Sequence, residues 1–78
     1  MQINEDYIKE QAFLSVLKTK LSEKRSRIAM LYIHGLTAQK IAENIGITRN
    51  TVCVHIQSIY KTLGVRSKWQ LIEMFEKF

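Results

Sequence analysis

Ten lysines and arginines stand between residues 18 and 68 of this 78-residue chain: Lys18, Lys20, Lys24, Arg25, Arg27, Lys40, Arg49, Lys61, Arg66 and Lys68. Only Glu23 and Glu43 oppose them, so this stretch carries +8; the two ends carry −3, from Lys9 and Lys77 against Glu5, Asp6, Glu10, Glu73 and Glu76. A basic middle between acidic ends suits a polyanionic partner, with nucleic acid ranked ahead of an anionic membrane surface. For the cluster Lys18, Lys20, Lys24, Arg25 and Arg27, an ordinary solvated face and a phosphate-tracking arm are both open readings.

Other chemistry finds little footing. Cys53 is the single cysteine, so no internal disulfide can form, and an inert, semi-exposed thiol is the expected state. His34 and His55 lack cysteine or carboxylate partners at ligand spacing, so no metal site is expected. His55 is expected to pack at its helix edge or to touch phosphate, and His34 to sit near a helix C-terminus, where positive charge is favourable. There are no suitably spaced paired acids, no nucleophile with an evident base and no glycine-rich phosphate loop, so neither enzyme activity nor a cofactor is expected. Without a secretory signal or an apolar run long enough to span a membrane, the chain reads as a soluble cytoplasmic protein.

The elements that must position these side chains are helical. The chain has no proline, and its three glycines, Gly35, Gly46 and Gly64, separate stretches with helical apolar spacing. Residues 5–20, begun by Asn4 or Glu5, carry a wide apolar face of Tyr7, Ile8, Ala12, Phe13, Leu14, Val16 and Leu17, to be covered by the rest of the chain or by a second copy. Ser22 caps a helix reaching about His34, with Ile28, Ala29, Leu31 and Tyr32 inward and Gly35 left-handed beyond it. Thr37 caps a short helix, AQKIAENI, that turns Ile41, Ala42 and Ile45 inward. Thr48 caps a longer one in which Val52, Ile56, Ile59 and Leu63 recur at intervals of four, three and four, closed by Gly64. Ser67, with Gln70 at capping-box spacing, opens a last helix bearing Trp69, Leu71, Ile72, Met74, Phe75 and Phe78. Five helices and no strand make the fold all-α.

The stretch TAQKIAENIGITRNTVCVHIQSIYKTL has the proportions of a helix-turn-helix. Ile41, Ala42 and Ile45 would lock onto Val52 and Ile56, small Ala42 lets the helices approach, and Gly46 permits the turn. The second helix can then stand out from the body with its solvent face free to enter a major groove. From Leu21 onward the chain resembles the LuxR-type, GerE-like DNA-binding domain without a gap over about two-thirds of its length. G-L-T, K-I-A, I-T-x-x-T-V-x-x-H and L-G-V are all in register. The resemblance implies a four-helix domain over residues 21–78, preceded by an N-terminal amphipathic helical extension over residues 1–20.

It further implies base contacts at Cys53, Val54 and Gln57, with Arg49 and Asn50 on the first turn, and phosphate contacts at Thr48, Thr51, His55, Lys61, Lys40, Arg66 and Lys68. Helix N-terminal N–H groups beside a threonine hydroxyl suit phosphate on physical grounds as well. The departures from the family pattern remove charge. Cys53 stands where Lys or Arg is common, Gln57 where a basic residue is frequent, Thr62 in place of the usual Lys, and Arg25 and Arg27 where acids are usual. Either the helix at 49–63 reads A·T-rich edges by shape and amide chemistry, or it has ceased to read bases. Trp69, Met74 and Phe78 are more apolar surface than one short helix hides, and a two-fold subunit interface is expected there.

The expected function is a sequence-specific transcriptional regulator binding duplex DNA as a homodimer. Its chief rival is an interaction module that seizes another LuxR-type regulator in an inactive heterodimer. A domain resembling region 4 of sigma factors, bound to RNA polymerase, is the third. Beside the matched region this chain is expected to have no room for a separate receiver or ligand-sensing domain, so regulation through abundance, partner exchange or oligomerisation is expected unless the chain is a fragment of a longer protein.

Overall fold

The computed structural model describes residues 5–78, and Asn4, one of the two expected starts of the first helix, lies outside them. Five helices follow in order: α1 (Glu5–Leu17), α2 (Glu23–Ile33), α3 (Ala38–Ile45), α4 (Arg49–Leu63) and α5 (Lys68–Glu76). No strand occurs among the described residues. The architecture is all-α, with one helix in front of the four that the resemblance implies.

Local chemistry sets the boundaries. The hydroxyls of Ser22, Thr37, Thr48 and Ser67 each accept a hydrogen bond from the backbone N–H three residues on, at 3.1–3.2 Å. Each satisfies an otherwise orphan donor, a contribution of about 1 kcal/mol. The capping box at Ser67 forms with a shift: Gln70 Oε1 accepts from the N–H of Arg66 at 2.6 Å, one residue before the cap. All three glycines have positive φ, and at Gly46 (φ 75°) the consequence is largest. There the left-handed residue closes α3, with the N–H groups of Gly46 and Ile47 both reaching the Ala42 carbonyl at 2.9 and 3.1 Å, and the chain turns directly into α4.

One core joins all the helices. Phe13, Leu17, Leu21, Ile28, Ala29, Met30, Ile41, Ala42, Val52, Ile56 and Ile59 are buried together. Leu71 of α5 is also fully buried. α3 packs on α4 more extensively than any other helix pair, which follows from Ala42 allowing close approach opposite Val52 and Ile56. Leu31, Tyr32, Ile45 and Leu63, expected inward, are only half-buried, whereas Met30 and Ser26 are buried without having been expected so.

α1 departs furthest from its expected packing. Phe13 and Leu17 are buried and Leu14 half-buried, but Tyr7, Ile8, Ala12 and Val16 face outward. The docked stripe packs on α2 and also meets the rings of α5. The Phe13 ring meets Phe75 and Phe78 edge-on, with centroids 5.0 and 5.3 Å apart. One turn earlier, Lys9 and Glu10 lie on this same side. Lys9 Nζ donates to the Glu76 carbonyl at 2.9 Å and lies 5.0 Å from the Phe75 ring centre, while Glu10 meets His34 Nε2 at 2.8 Å. Residues 5–17 therefore share the core of the domain.

Candidate nucleic-acid interface

α4 buries one side and presents the other. Val52 and Ile59 are 0% and 1% exposed, and Ile56 joins them against α2 and α3. On the opposite side Asn50, Thr51, Cys53, Val54, Gln57 and Lys61 are exposed, with Val54 at 65%. At about 100° per residue these positions sweep the outer half of the helix. Four of the five residues expected to reach bases, Asn50, Cys53, Val54 and Gln57, are thus brought onto one accessible surface, while Arg49 is exposed at the first position of the helix, in line with Val52 and Ile56. Between Asn50 and Tyr60 that surface carries no lysine or arginine. It offers a thiol, an isopropyl group and an amide.

The residues expected at phosphates are more scattered. Thr48 and Thr51 are joined at the start of α4, their hydroxyls 2.8 Å apart, beside the free N–H groups of the helix's first turn. Lys40 is exposed on α3 with its Nζ 3.7 Å from Glu43 Oε2, a loose surface pair that leaves it available. Arg66 is exposed beyond α4. Lys68 is half-buried, drawn inward so that its ammonium lies 4.8 Å from the centre of the Tyr32 ring. Tyr32 in turn meets Tyr60 hydroxyl to hydroxyl at 3.0 Å. Burial, then that hydrogen bond, pushes the Tyr60 phenol well above its ordinary value and keeps it neutral.

His55 is half-buried on the flank of α4, where its Nδ1 accepts a hydrogen bond from Arg25 Nε at 3.1 Å. Arg25 Nη1 also donates to Ser58 Oγ at 2.7 Å. Burial first, then the charges of Arg25 and Lys24, hold the imidazole below its ordinary 6.5. A neutral ring accepting at Nδ1 carries its proton on Nε2, so His55 meets an anion as a neutral donor. Sequence reasoning did not find this cross-helix contact, although one signal was available. Arginine in the first turn of a helix opposes the helix dipole, and its placement there calls for another partner.

The residues expected at a subunit interface divide. Trp69 is 76% exposed, Phe78 is half out but leans on Phe13, and Met74 is half-buried against its own core. Among the described residues no group of three or more His, Cys, Asp or Glu is placed to hold a metal ion. No described helix is long and apolar enough to cross a membrane.

A short glycine turn, two interlocked helices and an outward-facing second helix beside basic side chains define a helix-turn-helix domain. The family of luxR-type bacterial regulatory proteins, described by the GerE model, matches residues 19–75, and the chain belongs to that family of DNA-binding regulators. It is also similar to a protein of Aeromonas salmonicida described as "Putative HTH-type transcriptional regulator in exeN 3'region". The two are 33% identical over 66 residues, which make up 85% of this chain and 34% of that relative, so the chain spans about a third of the relative's length. No solved structure matches the chain significantly.

Proposed function

We propose that this protein is a sequence-specific transcriptional regulator that binds duplex DNA as a homodimer, laying α4 in the major groove of each of two half-sites. The carrying observation is the exposed surface from Arg49 to Lys61 on a helix whose opposite side is locked into the core. Cys53, Val54 and Gln57, with Arg49 and Asn50, are the base-facing residues of this reading. Val54 suits the thymine methyl group, and Gln57 can bond adenine N6 and N7. Thr48, Thr51, His55, Lys61, Lys40, Arg66 and Lys68 supply phosphate contacts that fix the register. Trp69, Met74 and Phe78 are the dimer-surface residues of this reading, Trp69 the most exposed of them, and a two-fold pair of half-sites about one helical turn apart follows from that symmetry.

Selection of duplexes from a random pool, followed by mobility shifts at rising salt, tests the reading. Enrichment of a near-palindrome rich in A·T pairs is expected, with affinity falling steeply as salt rises. No duplex binding at low salt rejects it.

The absence of charge between Asn50 and Tyr60 favours one alternative, capture of another LuxR-type regulator as an inactive heterodimer. That alternative predicts recovery of such a partner in a pull-down while duplex affinity stays undetectable. Trp69→Arg is the better probe than Met74→Arg, because Met74 also packs against its own core.

A further inference from the structure

We propose that Arg25 is a phosphate ligand: an arginine of α2, fastened to the flank of α4, that supplies the nucleic-acid face with charge α4 itself lacks. The assignment rests on the duplex-binding reading above and adds a residue from a different helix to it.

Geometry carries the proposal. Thr51, His55, Ser58 and Thr62 follow at intervals of four, three and four, so they lie along one edge of α4, between its buried stripe and its outer face. Arg25 bonds to the middle two of these, His55 and Ser58. In a helix that occupies a major groove, the centre of the outer face meets base edges and the flanks meet the sugar-phosphate strands. Arg25 therefore stands on a flank, in line with the hydroxyl pair of Thr48 and Thr51.

Its chemistry fits that place. A guanidinium has five N–H donors, and the two side-chain bonds to α4 use two of them. Among the described residues no carboxylate pairs with Arg25, so a half-buried positive charge is held in a fixed orientation with donors to spare. Planar, pre-oriented donors of this kind match a phosphate better than a mobile ammonium does. The same contact fixes the His55 proton on Nε2, which has no partner among the described residues and gives the edge a further donor. Lys24, exposed beside Arg25, adds to the local field. A simple structural brace would not need the charge: a neutral donor would satisfy His55 and Ser58.

The test uses a labelled mixed-sequence duplex, because non-specific binding reads phosphate contacts alone. Anisotropy titrations over a range of salt compare the wild-type chain with Arg25→Gln, Arg25→Lys and Arg27→Gln. Arg27, two residues further along the same helix and so about 200° around it, lines a groove with Leu14, Lys24 and Asn44. Arg25→Gln is expected to reduce the slope of log affinity against log salt by about 0.9 and to weaken binding roughly five- to tenfold near 0.1 M salt. Arg25→Lys should keep the slope, and Arg27→Gln should resemble the wild type. In the wild-type chain the Arg25 Nε–H resonance should shift on addition of duplex, a readout that does not depend on any variant folding. An unchanged slope in Arg25→Gln, or an unmoved Nε–H signal in a wild type that binds, overturns the assignment while leaving duplex binding intact. A wild type without salt-sensitive duplex affinity overturns both.

Discussion

Tyr32 of α2 and Tyr60 of α4 share a hydroxyl–hydroxyl hydrogen bond of 3.0 Å across the helix interface, with the Lys68 ammonium of α5 stacked on the Tyr32 ring. Three helices meet at this polar contact, next to a core that is apolar apart from Ser26. Tyr60→Phe should cost about 1 kcal/mol by leaving the Tyr32 hydroxyl half-buried without its partner, lowering the melting temperature by roughly 4–8 °C for a domain of this size. The phenol of Tyr60 sits above its ordinary 10.0. Its contribution is therefore full below that value and lost as pH rises beyond it. Alkaline unfolding of the wild type should be steeper with pH than that of Tyr60→Phe.

His55 gives the opposite dependence at the acid side. The unfolded imidazole takes up a proton near 6.5, whereas burial and the neighbouring Arg25 and Lys24 delay uptake in the folded chain to lower pH. Its contribution is complete above that unfolded value and is lost as pH falls through the folded one. Thermal melts at about pH 7.5 and about pH 5 should show a larger drop for the wild type than for His55→Gln, in which the Arg25 bond can persist without a titrating ring.

Gly46→Ala isolates the cost of a left-handed backbone. Nothing lies within 4 Å of a Cβ built at this position, so no clash contributes. The penalty should be about 1–2 kcal/mol, from the φ of 75° alone. Chemical denaturation with an unchanged m-value would check this; a much larger loss would show that the turn between α3 and α4 cannot relax at all.

Gln57→Ala should act on specificity. If the amide reads adenine in the major groove, its loss costs roughly 1–3 kcal/mol on a selected site and almost nothing on a mixed-sequence duplex. Equal weakening on both would assign Gln57 to the strands instead of the bases.

Trp69→Arg should separate dimer formation from folding. The indole is 76% exposed, so helicity and melting of the monomeric unit should barely change. Sedimentation at micromolar concentration should show the mass falling from two chains to one. Unaltered mass would move the interface elsewhere, with the outward side of α1 as the next surface to test.

The boundaries of α2 to α5 were legible because their causes are local: a hydroxyl at Ser22, Thr37, Thr48 or Ser67 finds its N–H three residues away, and Gly46 and Gly64 end what precedes them, whereas the first helix, expected over residues 5–20, stops at Leu17, where no glycine marks its end. The outward surface of α4 was legible for a similar reason, since the spacing of Val52, Ile56 and Ile59 fixes what is opposite. The docking of α1 was not. Its apolar positions surround much of the helix, and which of them dock is settled by contacts with α2 and with rings of α5 more than sixty residues away. The clasp of Arg25 on His55 and Ser58 spans thirty or more residues, beyond any periodic pattern. Met74 and Phe78, read as surplus surface, are partly taken up by their own chain.

Phe13 sits on the near side of a border that the family match draws at residue 19, yet two aromatic rings of the last helix close against it. Trimming the protein to the matched segment would take the Phe13 ring away from Phe75 and Phe78 and widen the apolar surface at the end of α5. Light scattering of the trimmed chain beside the full one is expected to show more self-association in the trimmed chain.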